Sequence, residues 1–514
     1  MRRTAADPFA PDAHLAGQLE EHAATGRWDE AFALRLKTAA AAADPVARAQ
    51  HYRAAAALAM NELGNPGGAI EPLLLALEAN PADRSPLREV EELHRTLDDD
   101  VGWVESLRRV AVFAQARDDR ALVPLAIEAW DHLAEVYLTR FGKRDEGADA
   151  LEQAAALDPA NGTRREVLLE LWARPPEKPE RAVPHHRALF GLDPTRVASL
   201  RALMAHHYNA GDKDGQLCCS SALVFLKRAE PDVQAVHHKL RPRTPRPASR
   251  AITADEWRRG ILMAEGANTV AQVFALLAGA VAGMYRVDLR ERLSAEDRID
   301  LQGTPLAFAR RVIAAANALG VPLPEMYRWK GGRGIEFLHA GTPVLLAGED
   351  MLAGRDEAHQ LFVAGRHLSY LRPECWLLRV LRAQLPTLRA IFLGSLQVSV
   401  PGMELGVDDA RLVEPIRPRL EKALPPALRL RVASFLPKLT DRGMIDLERF
   451  TATAEAAANR AGLLLAGDLG SAIAALVQET PLSSTPLEDQ AKSLVGYSVS
   501  TSYLELRATL GIAI

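Results

Sequence analysis

The stretch AWDHLAEVYLTRFGKRDEGADALEQAAALDPAN, which runs from Ala129 to Asn161, determines the fold expected for the N-terminal half of the chain. Its pattern predicts a helix, a turn that contains glycine, and a second helix. Pro159 follows, and proline is favoured in the first turn of a helix. We therefore expect the unit to be a helix pair, with the proline opening the next unit.

Related units recur along the first 240 residues. A proline that follows Asp, Asn or Glu returns after 36, 78, 35 and 37 residues, and 78 is twice 39. The marker missing from the long gap would fall near Asp118 and Asp119. The prolines are Pro45, Pro81, Pro159, Pro194 and Pro231, and weaker copies of the glycine turn are Gly26–Ala31, Gly64–Pro66 and Gly211–Asp214.

A period in the mid-thirties and the residues of the best copy resemble tetratricopeptide repeats. The resemblance implies about six stacked helix pairs, which would share a core and form a superhelical groove. Grooves of this kind hold a peptide or a helix of a partner protein. The residues that carry the resemblance are Trp130, Leu133, Ala134, Tyr137, Asp145, Glu146, Ala156 and Pro159. We expect four tryptophans to be packing residues rather than groove contacts: Trp28, Trp103, Trp130 and Trp172.

A basic, proline-rich segment, Lys239–Arg250, marks the predicted domain boundary. We expect a solvated linker, and the alternative is contact with an anionic membrane or nucleic acid. Beyond it the pattern predicts one β-hairpin, with strands Gly334–Leu338 and Thr342–Ala347. The predicted helices are residues 305–320, 356–371, 375–393, 409–423, 426–439, 446–467 and 487–510. In this mainly α chain the predicted domains are a disordered N-terminus (1–14), a repeat solenoid (15–238), a linker (239–251) and a mostly helical α+β domain (252–514).

Two stretches of the C-terminal domain, FVAGRHLSYLRPE (Phe362–Glu374) and TAEAAANRAGLLLAGD (Thr453–Asp468), resemble the zinc-site helices of HtpX-type gluzincin metallopeptidases. In that family one helix carries His-Glu-x-x-His, whose histidines bind Zn²⁺ and whose glutamate is the general base. A later helix supplies a further glutamate ligand. The resemblance places Gly365, Arg366 and Ser369 at the His, Glu and His positions, Glu455 at the third ligand, and Asn459 at a position that is aspartate in the family.

These replacements remove the metal chemistry. Glycine and serine cannot take the place of imidazole as zinc ligands, and arginine stays protonated, so it cannot act as a general base. A guanidinium would also repel the dication. The resemblance therefore implies a peptidase-like domain without catalytic residues, metal or cofactor, and the hairpin would be what remains of the sheet beside the site.

One hypothesis follows from the replacements: Arg366 pairs with Glu455, and its charge partly stands in for the missing metal. Removing one partner of such a buried pair would cost about 3–5 kcal/mol. The alternative is that Arg366 points to water and that both stretches are ordinary core helices, which would bury residues such as Phe362, Leu368 and Leu371 equally well.

The composition excludes several function classes. With 62 Lys plus Arg against 66 Asp plus Glu, the net charge is −4, and no basic field indicates nucleic acid. Three cysteines in 514 residues cannot form a disulfide framework, which fits a reduced cytoplasm. The sequence Asp356–His359 does not indicate an NTPase, because the chain has no GxxxxGK[ST] motif. Three pairs of adjacent histidines are not expected to bind a metal together, because neighbouring side chains on a helix diverge.

Two segments indicate where in the cell the protein is expected. The N-terminus has two arginines and no apolar core after them, so we expect no signal peptide. Gly266–Tyr285 is uncharged and long enough to span a bilayer, but its alanines, glycines and polar residues favour a buried helix. The abundance of arginine and alanine suggests a GC-rich bacterial genome, and we expect a cytoplasmic protein.

The sequence favours a non-catalytic protein-binding scaffold. The solenoid would recruit a partner protein or peptide in its groove, and the pseudo-peptidase domain would be a second interaction surface. We expect no cofactor, no nucleic acid and no membrane contact. Two alternatives stay open: a hydrolase or peptidase with an unrecognised active site, and a membrane-associated assembly factor.

Overall fold

A computed structural model of the protein describes residues 10–117, 119–263, 269–289, 293–353, 355–440 and 445–514. These residues are mainly helical and include one small sheet. The protein divides into two compact units, one ending at His185 and the other beginning at His186, so that the division falls inside a helix. The N-terminus predicted to be disordered spans residues 1–14. Residues 1–9 lie outside the described residues, and residues 10–14 belong to the first helix, which begins at Ala10.

Helices of the first unit pack mainly on their neighbours in sequence, and one hydrophobic cluster is continuous from Ala56 to Trp172. The helices are α1 (Ala10–Ala24), α2 (Trp28–Ala41), α3 (Pro45–Asn61), α4 (Ile70–Ala79), α5 (Ser85–Thr96), α6 (Asp100–Ala116), α7 (Val123–Thr139), α8 (Arg144–Leu157), α9 (Gly162–Ala173) and α10 (Pro179–Leu192), which continues into the second unit. Packing between sequence neighbours is clearest for α2 on α3, α3 on α4, α6 on α7 and α7 on α8.

Three of the four tryptophans expected to be packing residues pack in or against the core. Trp103 and Trp172 are buried in the continuous cluster, and Trp130 packs against it. Trp28 is half-buried at the start of α2. A core shared between successive helices is what a repeat array needs, because one helix pair cannot bury its apolar face alone.

The proline markers form a recurring turn. At three of them the carbonyl before the proline accepts a hydrogen bond, 3.1 to 3.2 Å long, from the backbone N–H three residues on. Proline suits the second position of such a turn because its φ is fixed. At Pro81, Pro159 and Pro194 the next helix therefore begins after the turn, and the proline opens the unit through this turn rather than as the first helical residue. Pro45 and Pro231 are themselves the first residues of their helices. Asp118 lies outside the described residues.

Glycine turns are present where the pattern predicts them. Gly142 follows α7 with φ 62°, and Gly211 follows the helix Val197–Asn209 with φ 68°. These are left-handed conformations that a side chain disfavours. Gly26 and Gly64 have similar positive φ values, 67° and 58°. The sequence copies therefore share a local geometry, and their membership of the tetratricopeptide class remains a prediction.

The second unit contains the remaining elements. Its helices are α11 (Val197–Asn209), α12 (Lys213–Phe225), α13 (Pro231–Leu240), α14 (Ala254–Glu256) with a π-helical continuation (Trp257–Leu262), α15 (Thr269–Ala282), α16 (Ala307–Leu319), α17 (Glu349–Leu352), α18 (Glu357–Ser369), α19 (Pro373–Val380), α20 (Leu385–Ser399), α21 (Val407–Val413), α22 (Arg417–Ala423), α23 (Pro426–Ala433), α24 (Leu436–Thr440), α25 (Leu447–Ala466), α26 (Leu469–Leu476), α27 (Leu487–Tyr497) and α28 (Thr501–Thr509).

Four strands form the sheet in the order β1-β2-β4-β3 among the described residues: β1 (Arg298–Ile299), β2 (Glu325–Trp329), β3 (Ile335–His339) and β4 (Pro343–Gly348). The expected hairpin is β3 and β4, which pair antiparallel with Phe337 opposite Leu345. β2 pairs parallel with β4, and Tyr327 lies opposite Leu346. The local pattern did not predict β2, because a parallel strand needs a partner distant in sequence.

Several predicted helices are split in two. Residues 375–393 form α19 and α20, with positive φ at Arg382 and Ala383 between them. Pro386 lies in the first turn of α20 and cannot continue a preceding helix, because it has no N–H. Pro418 and Pro437 take the same position in α22 and α24. The tail 487–510 divides at Ser500, whose hydroxyl caps α28 at the Tyr503 N–H.

The basic segment is held in place rather than solvated throughout its length. Ser249 donates from its backbone N–H, at 2.8 Å, and from its hydroxyl, at 3.0 Å, to the carbonyl of Leu510. Arg246 donates to the carbonyl of Ala513. Arg241 lies 2.8 Å from the carboxylate of Asp468. Most side chains of this segment are exposed, but Leu240, Pro242, Pro245 and Ala248 are half-buried.

Among the described residues, none of the helices combines the length and the apolarity needed to cross a membrane. α15 covers most of the uncharged segment and buries Val273, Phe274 and Leu277. The part of that segment from 266 to 268 lies outside the described residues.

Candidate functional site

The two peptidase-like stretches form α18 and α25, the helix pair with the most extensive contact among the described residues. They approach each other most closely at two glycines. A Cβ placed on Gly365 would lie 3.1 Å from Gly462 Cα, and a Cβ on Gly462 would lie 2.7 Å from the carbonyl oxygen of Phe362. Because these contacts are to backbone atoms, the pair packs at a distance that only glycine permits without movement of the helices.

Arg366 lies inside this helix pair. Its Nη2 donates to Oε1 of Glu455 at 2.7 Å, and both side chains are 1% exposed. Its Nε donates to Oδ1 of Asn459, also at 2.7 Å, and its Nη1 lies 3.4 Å from Oε2 of Glu479. The structure therefore brings together three of the five positions singled out in the sequence, and Arg366 does not point to water.

Glu455 has its hydrogen-bonding capacity filled. Besides Arg366, its oxygens accept bonds from the backbone N–H groups of Leu482, at 2.8 Å, and Ser483, at 3.0 Å. The Ser483 hydroxyl adds a bond of 2.6 Å, and Gln490 adds one of 3.3 Å. Gln490 also accepts from Asn459 Nδ2 at 2.9 Å. A carboxylate with this many donors is held in a fixed orientation.

The other two positions do not join the cluster. Gly365 lies at the contact between the two helices and has no side chain that could join the network. Ser369 donates its hydroxyl to the carbonyl of Arg366 at 2.7 Å, a bond within its own helix. Serine commonly bonds back to its own helix in this way.

The residues present do not fit a zinc ion. In the described part of the protein, no group of three or more His, Cys, Asp or Glu side chains is placed to hold a metal. Glu455, at the position that the resemblance gives to the third ligand, is bonded to a guanidinium, which repels a dication. A Cβ at Gly365 would already lie 3.1 Å from Gly462 Cα, so a larger side chain there would crowd the facing helix.

Sequence reasoning missed His367 and Glu479. His367 Nε2 lies 2.6 Å from Glu479 Oε2, and the histidine is 3% exposed. Burial lowers the pKa of His367, and the ring is therefore neutral near pH 7. Burial alone would raise the pKa of Glu479, but His367 and then Arg366 lower it to about 2. The nitrogen facing the carboxylate must then carry the proton, which leaves Nδ1 as an acceptor without a hydrogen-bond partner among the described residues.

No local motif marks this pair. Glu479 follows α26, far from the motif letters, and its role becomes visible only when α18 and α26 are packed together. The one available signal was the position of His367 next to Arg366, on the same buried helix.

A cavity of about 530 Å³ lies beside this pair. Arg379 projects from α19 into its wall, and its Nη2 donates to the carbonyl of Ile335 on β3 at 3.0 Å. Its Nε is buried and has no hydrogen-bond partner within the described residues. The lining residues are Trp329, Arg333, Gly334, Ile335, Glu336, Asp350, Met351, Arg355, His359, His367, Arg379, Gln478, Glu479 and Thr480.

A smaller cavity of about 250 Å³ is lined by the Glu455 network itself, including Asn459, Ser483 and Gln490. Its buried polar side chains are bonded to one another, as described above. We therefore treat the 530 Å³ cavity, hereafter the His367 cavity, as the better candidate for binding.

No protein-family model matches this sequence, and no curated protein matches it either. The likeness to gluzincin peptidases and to tetratricopeptide repeats therefore depends on the motif residues and on the contacts just described.

Proposed function

We propose that this protein is a non-catalytic protein-binding scaffold whose C-terminal domain derives from a zinc peptidase. The observation that carries the proposal is the Arg366 guanidinium, which is bonded to Glu455 and Asn459 and lies near Glu479. These contacts make a closed ionic network at the residues that the resemblance matches to the zinc site. The positive charge is compensated, and the network needs no metal to be stable.

Packing supports the same proposal. The first histidine position is Gly365, where even a Cβ would lie in tight contact, 3.1 Å from backbone atoms of the facing helix. A peptidase of this class needs an activated water on an open metal position. Here the side chains matched to that site by the resemblance, Arg366, Glu455 and Asn459, bond to one another instead.

Protein binding is proposed for the helical repeats. Their support is the recurring proline turn, the recurring glycine turn and the hydrophobic core that continues from Ala56 to Trp172. Stacked helix pairs of this kind present extended surfaces that recruit other proteins. The C-terminal domain would serve as a second interaction surface.

Metal content and proteolysis test the non-catalytic role. The protein is purified from cells grown with added zinc, and its metal content is measured by mass spectrometry, while a fluorogenic peptide library is assayed with and without a chelator. We expect less than stoichiometric zinc and no proteolysis that the chelator removes. One zinc per protein molecule together with chelator-sensitive proteolysis would refute the proposal.

Partner binding is tested by affinity capture from a lysate with two baits. One bait is the whole protein and the other is residues 1–185, whose folding is first checked by circular dichroism. We expect the same partner on both baits, confirmed by reconstitution from purified components. A partner that binds the whole protein and not the repeat bait would assign recruitment to the second unit instead.

A second candidate, a metal-independent hydrolase, is favoured by one observation. His367 is held by Glu479, and its Nδ1 has no partner in the described residues and lies beside a cavity, as a general base requires. Hydrolysis of ester or peptide probes that survives a chelator and disappears in His367→Gln would favour this candidate over the scaffold.

A further inference from the structure

Two buried arginines near the His367 cavity differ in their counter-charges. Arg366 lies 2.7 Å from one carboxylate and 3.4 Å from another. For Arg379, the nearest carboxylate among the described residues is Glu336, at 3.9 Å, although the arginine side chain is only 11% exposed. A desolvated guanidinium without a close counter-ion is unfavourable, and an anion bound beside it would relieve that cost.

The acidic residues of the cavity do not supply that anion, because each has a nearer partner. Glu479 is bonded to His367 at 2.6 Å. Asp350 accepts the backbone N–H of Gly334 at 2.9 Å and lies 3.6 Å from Arg355. Glu336 is shared between two arginines, since its Oε1 lies 3.4 Å from Arg382 and its Oε2 lies 3.9 Å from Arg379. Arg379 is therefore the buried arginine of the cavity wall whose charge is compensated most weakly.

Two polar atoms of the cavity wall have no hydrogen-bond partner in the described residues, and one is a donor while the other is an acceptor. Arg379 Nε offers a donor, and His367 Nδ1 offers an acceptor. Both side chains contact the ring of Phe337: the Arg379 guanidinium carbon is 5.6 Å from its centroid, and the His367 ring stacks on it at 6.4 Å. A ligand that fills both needs an acceptor for Arg379 and a donor for His367.

We propose that the His367 cavity binds a carboxylate whose α-position carries an N–H or O–H group. The carboxylate accepts from Arg379 Nε, the α-donor bonds to His367 Nδ1, and an apolar side chain packs on Trp329 and Met351, which also line the cavity. Its volume, about 530 Å³, suits a ligand of this size.

Two sources have this chemistry: the C-terminal residue of a polypeptide, and a free 2-hydroxy acid. The inference does not depend on the partner-recruiting role of the repeats, since the cavity lies wholly within the second unit.

Ligand-observed NMR on the full-length protein tests the site with matched probes. N-acetyl-leucine carries both groups, N-acetyl-leucine amide lacks the carboxylate, and 4-methylpentanoate lacks the donor. We expect the amide to bind at least about tenfold more weakly than the acid, because it loses a charge-assisted hydrogen bond. We expect 4-methylpentanoate to bind about twofold to tenfold more weakly. Equal binding of acid and amide, or no binding of either, overturns the proposal.

Variants locate the site. Arg379→Gln should abolish the preference for acid over amide, while Arg411→Gln, an arginine whose side chain is 77% exposed, should leave it unchanged. Circular dichroism checks that each variant is folded; if Arg379→Gln is not, the wild-type comparison of acid with amide still decides. Acid preference that persists in folded Arg379→Gln also overturns the proposal.

A last pair of probes identifies the source. The tripeptide Ala-Ala-Leu represents the carboxyl end of a polypeptide, and 2-hydroxy-4-methylpentanoate represents a free hydroxy acid. Tighter binding of the tripeptide would assign the site to polypeptide ends, and tighter binding of the hydroxy acid would assign it to small acids; either result supports the site itself.

Discussion

Arg507 donates two hydrogen bonds, each 2.7 Å long, to the carboxylate of Asp214, which lies 293 residues earlier in the sequence. The side chains are 3% and 10% exposed, and the backbone N–H of Ile514 adds a third bond of 3.1 Å. This pair joins α12, a helix of the repeat pattern, to α28, the last helix. Both helices belong to the second compact unit, so the last repeat-like helices pack as part of it.

Asp214→Asn should therefore destabilise the second unit. The substitution leaves a buried guanidinium without its counter-charge, and we expect a loss of about 3–5 kcal/mol in the free energy of unfolding. Urea denaturation followed by circular dichroism measures it. Glu488→Gln is the control, because it removes an exposed pair with Lys492 at 2.7 Å, and we expect no detectable change. Equal effects from the two substitutions would contradict the role given to Asp214.

The pair of Arg366 and Glu455 should behave as one unit in a double-mutant cycle. Glu455→Met alone strands a buried cation, and Arg366→Met alone strands a buried carboxylate, so each should cost about 3–5 kcal/mol. The double variant removes both charges of the pair, so neither is left without a partner. We therefore expect its free energy of unfolding to exceed that of the less stable single variant. Unfolding free energies in urea give the coupling. Additive losses would show that the two side chains act independently.

The glycine contact between α18 and α25 predicts an order of stabilities. Gly462→Ala would put a Cβ 2.7 Å from a backbone oxygen and 2.8 Å from the Phe362 ring, so we expect a loss of about 1–3 kcal/mol. Gly365→Ala, whose nearest contacts are 3.1 Å, should cost less. Gly279→Ala, in α15 with nothing within 4 Å, should stabilise by about 0.5–1 kcal/mol through helix propensity. A Gly462→Ala protein as stable as Gly279→Ala would argue against close packing here.

Acid should weaken the second unit through His367 and Glu479. Burial lowers the pKa of His367 below 6.5, so the unfolded state binds a proton first as the pH falls through 6.5, and the folded state loses stability. Glu479 has a folded pKa of about 2 against an ordinary 4.5, so its contribution is present above 4.5 and is lost between 4.5 and 2. That contribution is on the order of 3 kcal/mol.

Glu479→Gln should flatten the pH dependence below pH 4.5, as measured by the urea midpoint between pH 7 and pH 3. Glu505→Gln, at an exposed position of α28, is the matched control and should follow the wild type. A wild-type slope in the Glu479→Gln protein would mean that this carboxylate is not the group that titrates.

Local patterns predicted what local forces determine. The helix at 446–467 and the hairpin at 334–347 were placed within a residue or two, because apolar spacing and a glycine turn act over short distances. The predicted helices 375–393 and 409–423 are each two helices in the structure, because Pro386 and Pro418 interrupt them and lie in the first turn of the second helix. β2 was missed because its partner β4 is distant and parallel.

The residues of the site fall into the same two groups, those that a local pattern identifies and those that only tertiary packing brings together. Arg366, Glu455 and Asn459 could be found from motif positions on two helices. Glu479, Ser483 and Gln490 could not, because they come from segments with no motif and reach the network only through packing. The cavity around Arg379 was equally invisible, since it needs β3, α18 and α19 to be assembled.

The approach of Gly365 to Gly462 has a consequence for anyone who tries to rebuild a metal centre in this domain. A histidine in place of Gly365 would bring a Cβ to 3.1 Å from Ala461 O and Gly462 Cα, so the facing helix would have to give way. Restoring the metal ligands alone is therefore not sufficient, and the spacing of the two helices has to be redesigned with them.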